Sequence, residues 1–188
     1  SKENPIMMHE IERYIAEIFN FITDKFELDQ IIFDIGRLSE KFNYTIIAEN
    51  NQSDPNFKKQ QIRKEIEDIG SETLHDYLYT LTEEDDFWLF EPNHFANFKE
   101  QFEQAITKTD IFQLTVAIQL QNEDIKRMAN ELSQKMEKTV ILDVRISNGL
   151  IGGAIIKKDN YILDYSLKTK LTNLSEHWKK SIQKANQV

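Results

Sequence analysis

The sequence has no cysteine, which excludes disulfides, thiolate nucleophiles and thiolate-held metals. That absence fits a reducing compartment. No apolar run approaches the ~20 residues of a membrane-spanning helix, so direct membrane insertion is not expected. The polar start, Ser1-Lys2-Glu3-Asn4-Pro5, lacks the apolar stretch of a secretory signal. Histidine is sparse: His9, His75, His94 and His177 stand at no metal-binding spacing, and surface or capping roles are expected of them. There is no Gly-x-Ser-x-Gly elbow, and no pair of carboxylates stands out as an acid/base couple. The expectation is a protein with no catalytic residue, no cofactor and no metal.

Glycine is scarce too, with five in 188 residues, yet three fall between Ile146 and Ile156. Gly149, Gly152 and Gly153 lie between two β-branched runs, where glycine supplies backbone freedom and close approach. A demanding turn between two strands is predicted there. A phosphate-binding loop is not, because Gly153 is followed by Ala154-Ile155 and not by the Lys-Ser or Lys-Thr of a nucleotide-binding loop.

Charge is unevenly placed. Residues 1–110 hold 24 acidic and 11 basic side chains, while residues 111–188 hold 8 and 12. The acidic half would repel phosphates. The basic half suits an acidic protein, an anionic surface or RNA, but its lysines lack the interleaved aromatic platforms of a single-strand binder. No nucleic-acid partner is expected.

Hydrophobic period changes near residues 107–110. Before it, Ile11, Tyr14, Ile15, Ile18, Phe19 and Ile22 share one helical face, and Leu28, Ile31, Ile32, Ile35, Leu38 and Phe42 repeat the pattern. Asp24 or Asp29 can open that second helix, and Tyr44–Ala48 reads as a short separate apolar run. Residues 50–55 form a breaker. A polar helix over 57–69, a helix over 72–82 capped by Ser71, and a helix over 93–106 follow. Glu83-Glu84-Asp85-Asp86 is expected to cap a helix beginning near Phe87. The aromatics Phe87, Trp88, Phe90, Phe95, Phe98 and Phe102 read as bundle core, with a partner groove as the alternative. After the change come a strand over 111–118, a helix over 122–137, strands over 140–146, 151–157 and 161–163, and a last helix capped by Ser166. Asp159-Asn160 suits a tight hairpin.

Leu150-Ile151-Gly152-Gly153, the strand pair after it, then Ile162-Leu163-Asp164-Tyr165-Ser166 and Leu171 resemble the C-terminal signature of the F-type ATP synthase δ subunit, or oligomycin-sensitivity-conferring protein, family. The chain departs from that signature at Asn148-Gly149, Tyr165 and Lys168-Thr169, which suggests a divergent member. The resemblance implies an α+β protein, with an N-terminal helix bundle over 1–108 and a small α/β domain with a β-hairpin over 109–188. It implies a non-catalytic stator in the peripheral stalk, serving ATP synthesis and proton transport by linking the catalytic head to the stalk. The alternative is a helical adaptor, or a paralogue joining an ATPase-like head to another assembly. Implied partners are the α and β subunits and b-type stalk subunits, with one copy per hetero-oligomer. The implied place is peripheral, on the cytoplasmic face of the cell membrane, or on the matrix face of a mitochondrial inner membrane.

The family's groove for α N-terminal helices lies between its first and fifth helices. It maps onto Tyr14, Ile15, Ile18, Tyr77, Leu78 and Leu81, part of each stripe still facing the bundle core. The stalk-binding residues would be Leu174, Trp178 and Ile182, flanked by lysines suited to an acidic helix. Gly149, Gly152, Gly153, Asp164 and Ser166 would shape the turn.

Overall fold

The computed structural model describes the backbone of residues 5–48 and 55–185, and the side chains of residues 8–42, 55–91 and 93–177. The chain divides into two compact units after Thr109.

The described residues of the first unit form helices α1 (Pro5–Phe21), α2 (Lys25–Ala48), α3 (Pro55–Ile66), α4 (Glu72–Glu83) and α5 (Pro92–Thr107), with a 3-10 turn at Trp88–Phe90. Asp24 opens α2: its Oδ1 accepts from Glu27 N at 3.0 Å, while Glu27 Oε2 accepts from Thr23 N at 2.7 Å. The first bond satisfies one of the amides a helix start leaves free, and the second ties the residue before the cap to the first turn. Tyr44–Ala48 is not a separate element but the end of α2. No glycine or proline interrupts the chain between Gly36 and Ala48, so nothing stops the helix there.

α3 stops at Ile66, short of the expected Ile69. The buried Asp34 on α2 explains the turn that follows. Its Oδ2 accepts from Gly70 N at 2.9 Å and Ser71 N at 2.8 Å. Ser71 then caps α4, its Oγ accepting from Leu74 N at 3.1 Å. The acidic run does not cap a helix at Phe87. Glu83 ends α4, Asp85 adopts φ 57°, and only the 3-10 turn follows before Pro92 opens α5. Its carboxylates instead meet cations of α1 and α3: Glu83 with Arg63 at 3.5 Å, Asp85 with Lys59 at 3.2 Å, and Asp86 with Arg13 at 3.5 Å.

Of the expected aromatic core, Phe87 and Trp88 are only half-buried, and the rest is core. Phe42, Phe90, Phe95, Phe98 and Phe102 are all buried. Phe42 meets Phe95 edge-on at 4.8 Å and Phe90 at 5.6 Å, geometries that ring quadrupoles favour. Each buried phenylalanine stabilises the unit by about 1.5–3 kcal/mol relative to exposure.

The second unit contains β1 (Asp110–Val116), α6 (Asn122–Met136), β2 (Val140–Ile146), β3 (Ala154–Lys158), β4 (Tyr161–Asp164) and α7 (Leu167–Ala185). The sheet order is β2-β1-β3-β4, with β1 parallel to β2 and antiparallel to β3. Phe112, Leu114 and Val116 of β1 and Val140 and Leu142 of β2 join Ile125 and Ala129 of α6 in one buried cluster. Met136, the last residue of α6, is exposed. Glu137 leaves α6 at φ 53°, and Ser133 Oγ accepts from Val140 N at 2.9 Å, tying the helix end to β2. The β3–β4 hairpin turns at Asp159-Asn160, but only Asp159 takes positive φ, at 51°.

Candidate partner-binding surfaces

On the first unit, the residues of the expected groove lie along the seam between α1 and α4. Tyr14, Ile15 and Ile18 of α1 and Leu78 and Leu81 of α4 are buried. These side chains are the apolar stripes that hold the two helices to the unit. Tyr77 is half-buried, and its hydroxyl donates to Glu17 Oε2 at 2.6 Å, bridging α1 and α4. A second bridge lies close by: Tyr14 donates to Asp86 Oδ2 at 2.8 Å. Arg13 spans Glu10 at 3.0 Å and Glu17 at 3.3 Å, with its guanidinium 4.3 Å from the Tyr14 ring centre. Burial raises the pKa of both phenols, and their hydrogen bonds to Asp86 and Glu17 raise it further, because an ionised phenol would face a carboxylate. The seam has a polar, charge-laced rim over an apolar floor.

His94 departs from the expected surface role. It stacks on Trp88 with ring centres 3.9 Å apart, and its Nδ1 lies 2.8 Å from the Trp88 carbonyl oxygen. His75 stacks on Tyr79 at 5.8 Å. Among the described residues no three His, Asp or Glu side chains gather as a metal cage.

On the second unit, the glycine turn sits under the start of α7. Gly153 has φ +84°, and a Cβ there would lie 2.3 Å from the Tyr165 carbonyl oxygen. A Cβ on Gly152 would lie 2.7 Å from Leu167 Cδ1. The closeness comes from pairing: Tyr165 N donates to the Ala154 carbonyl at 2.8 Å, and Leu167 N to the Gly152 carbonyl at 2.9 Å. Gly149 is different. It is exposed, has no positive φ, and a Cβ would meet only Ser147 Oγ at 3.6 Å. Of the three clustered glycines, Gly153 is required by its backbone angle and by backbone obstacles, whereas at Gly152 only the Leu167 side chain would have to move.

Asp164 and Ser166 build the helix start. Asp164 Oδ1 accepts from Ser166 N at 2.8 Å and its Oδ2 from Thr169 Oγ1 at 2.6 Å. The buried Ser166 accepts from Thr169 N at 3.3 Å. The hydrogen bond from Thr169, then those from Ser166, hold the Asp164 carboxyl below the usual carboxylate range, since each stabilises the ionised form. At the other edge of β3, Lys158 approaches Asp110 to 2.6 Å and lowers that carboxyl as well.

The α7 stripe does not pack on its own sheet. Leu171 and Leu174 are 60% and 56% exposed, and Leu167 is exposed beyond its contact with Gly152. The side chains of Trp178 and Ile182 lie outside the described residues. Beside the helix start, Tyr161, Ile162, Leu163 and Tyr165 are exposed too. Sequence periodicity marks the stripe as apolar; it carries no sign of which side is covered. Asp34 was not singled out by any motif, because its role depends on a turn 36 residues away.

Residues 12–178 match the family model described as ATP synthase delta (OSCP) subunit. The ATP synthase subunit delta of Stutzerimonas stutzeri is 29% identical over 122 residues, covering 65% of this chain and 67% of that one. The subunit delta of Pediococcus pentosaceus is 22% identical over 172 residues, covering 88% and 93%. A chain in the cryo-EM structure of the Toxoplasma gondii mitochondrial ATP synthase hexamer aligns over 89% of this chain and 96% of that one, at 14% identity and a TM-score of 0.38. With nearly its whole described length inside the family match, this chain belongs to the ATP synthase delta (OSCP) subunit family and is a peripheral-stalk subunit of an F-type ATP synthase.

Proposed function

We propose that the chain is a mechanical link that transforms no substrate. Its first unit holds the N-terminal helices of α subunits, next to β, and its second unit holds a b-type stalk helix. It sits once in the complex, peripheral to the membrane on the side of the catalytic head. Among the described residues no helix is long and apolar enough to cross a membrane.

The observation that carries this reading is the uncovered leucine stripe of α7. A helix whose apolar side chains point to water is marginal alone, and becomes stable when a second helix covers it. Leu171 and Leu174 provide the apolar ridge, and Lys168 and Lys170 flank it. Affinity would come from the buried leucines, because exposed ion pairs contribute less than about 1 kcal/mol each.

The head-binding face needs a changed account. With Tyr14, Ile15, Ile18, Leu78 and Leu81 committed to the core, an α helix would lie across the rim, meeting Tyr77, Glu17 and the exposed face of α1 at Glu12, Ala16 and Asn20. A reconstitution tests the link. Leu171→Asp with Leu174→Asp in the full chain is expected to abolish rebinding to stalk-bearing membranes stripped of this subunit, with an unchanged melting temperature. Rebinding at full affinity refutes the stalk assignment.

A further inference from the structure

Outside the seam, the first unit has an unpartnered apolar feature on α2. Phe26 and Phe33 are each 70% exposed. They stand seven residues apart, two helical turns or roughly 10.5 Å along the axis. Between and beside them lies a cleft of about 450 Å³, lined also by Asp29, Gln30, Arg37 and Asp68. Surface phenylalanines are ordinarily scattered singly; two on one stripe, flanking a cleft, mark an interaction site.

The charges around the cleft are not equivalent. Lys25 is paired with Asp29. Arg37 is committed to Asp34, at 3.6 Å, and to the Asp68 backbone carbonyl. The exposed Asp68 carboxylate has no cation among the described residues. The cleft therefore offers apolar contact plus one unanswered negative charge, within a half of the chain that is itself strongly acidic.

We infer that this face receives an amphipathic α-helix carrying aliphatic side chains two turns apart and a lysine or arginine placed against Asp68. A helix is favoured over an extended segment by backbone bookkeeping. α2 satisfies its own amides and carbonyls, so an extended occupant would bury polar groups with nothing to pair them. A helix brings its hydrogen bonds with it, and its side chains lodge beside Phe26 and Phe33 as knobs in a groove. The inference rests on the peripheral-stalk reading only for the source of the helix, a neighbouring subunit of the same complex.

The test is site-specific photo-crosslinking in the assembled ATP synthase. Benzoylphenylalanine is placed at Phe33 in one full-length chain and at Leu174 in another, and the crosslinked peptides are identified by mass spectrometry. Both positions are exposed, so the substitutions leave the fold untouched. The expected result is a product from position 33 within a basic, amphipathic helical segment of another subunit. Asp68→Lys in the same chain should lower that yield at least about threefold, as expected for a lost and reversed charge contact. A product at 174 with none at 33 overturns this inference alone, as does a product at 33 in a second copy of this chain or in an irregular loop. An unchanged yield in Asp68→Lys overturns the basic character of the occupant. Silence at both positions overturns this inference and the stalk reading together.

Discussion

Replacing Gly153 by alanine should be among the most damaging single-methyl changes in the second unit. The cost has two parts. At φ +84° an L-residue pays roughly 1–2 kcal/mol for the left-handed backbone. The new Cβ would also lie 2.3 Å from the Tyr165 carbonyl oxygen and 2.9 Å from Ser166 Cα. Both obstacles are backbone, so no side chain can swing aside. Relief requires the turn and the β4–α7 junction to separate, which strains the bonds from Tyr165 N to Ala154 and from Leu167 N to Gly152. Each is worth about 1 kcal/mol. The total is about 3–4 kcal/mol. Gly149→Ala is the matched control, with no positive φ and an ordinary contact, and should stay within about 0.5 kcal/mol of the parent. Guanidinium unfolding followed by hydrogen exchange separates the units: protection of β1 and β3 should fall in Gly153→Ala, while that of α2 and α5 should not move. Equal protection of β3 in the two variants would refute the reasoning.

Three further outcomes are expected. Asp34→Ala should cost about 1–3 kcal/mol, because it strands the buried Ser71 amide and removes the partner of Gly70 N; a loss under about 0.5 kcal/mol by urea denaturation contradicts this. Asp164 contributes stability that is fully present above its unfolded pKa, near pH 4, and is lost as pH falls through its depressed folded value. Amide protection at Thr169 should therefore drop on acidification below about pH 4, and Asp164→Ala should remove that step; a step that survives the substitution sinks the assignment. Tyr14 and Tyr77 have raised pKa values, so their contribution is present below the ordinary phenol pKa of about 10 and lost only as pH rises through the folded values. Ultraviolet titration should show phenols that ionise only with alkaline unfolding, and Tyr14→Phe should remove one of them; a Tyr14→Phe profile with as many late phenols as the parent counts against the seam geometry.

What the sequence revealed depended on whether the determining contact was local. Helix faces and strands follow from near-neighbour periodicity, and the β2 bounds, Val140–Ile146, match the expected run. Ser71 and Ser166 were readable as caps because a cap acts on amides two or three residues on. The acidic run was misread because its partners, Arg13 on α1 and Lys59 and Arg63 on α3, are distant in sequence. The expected groove poses a related question. Apolar residues at Tyr14, Ile18, Leu78 and Leu81 look the same whether they face a partner or one another, and only packing decides. Gly149 resembled its neighbours by composition, yet it carries no positive φ and no tight contact.

The sheet order has a consequence for synthesis on the ribosome. The strand made first, β1, is an inner strand, and both of its neighbours are made later. Phe112, Leu114 and Val116 emerge as a bare apolar ribbon, and roughly two dozen residues must be added before β2 begins. At about 5–20 residues per second that interval lasts one to several seconds. During it the nascent chain offers an adhesive strand with two open edges, the moment at which a chaperone or a stray neighbour would find it first.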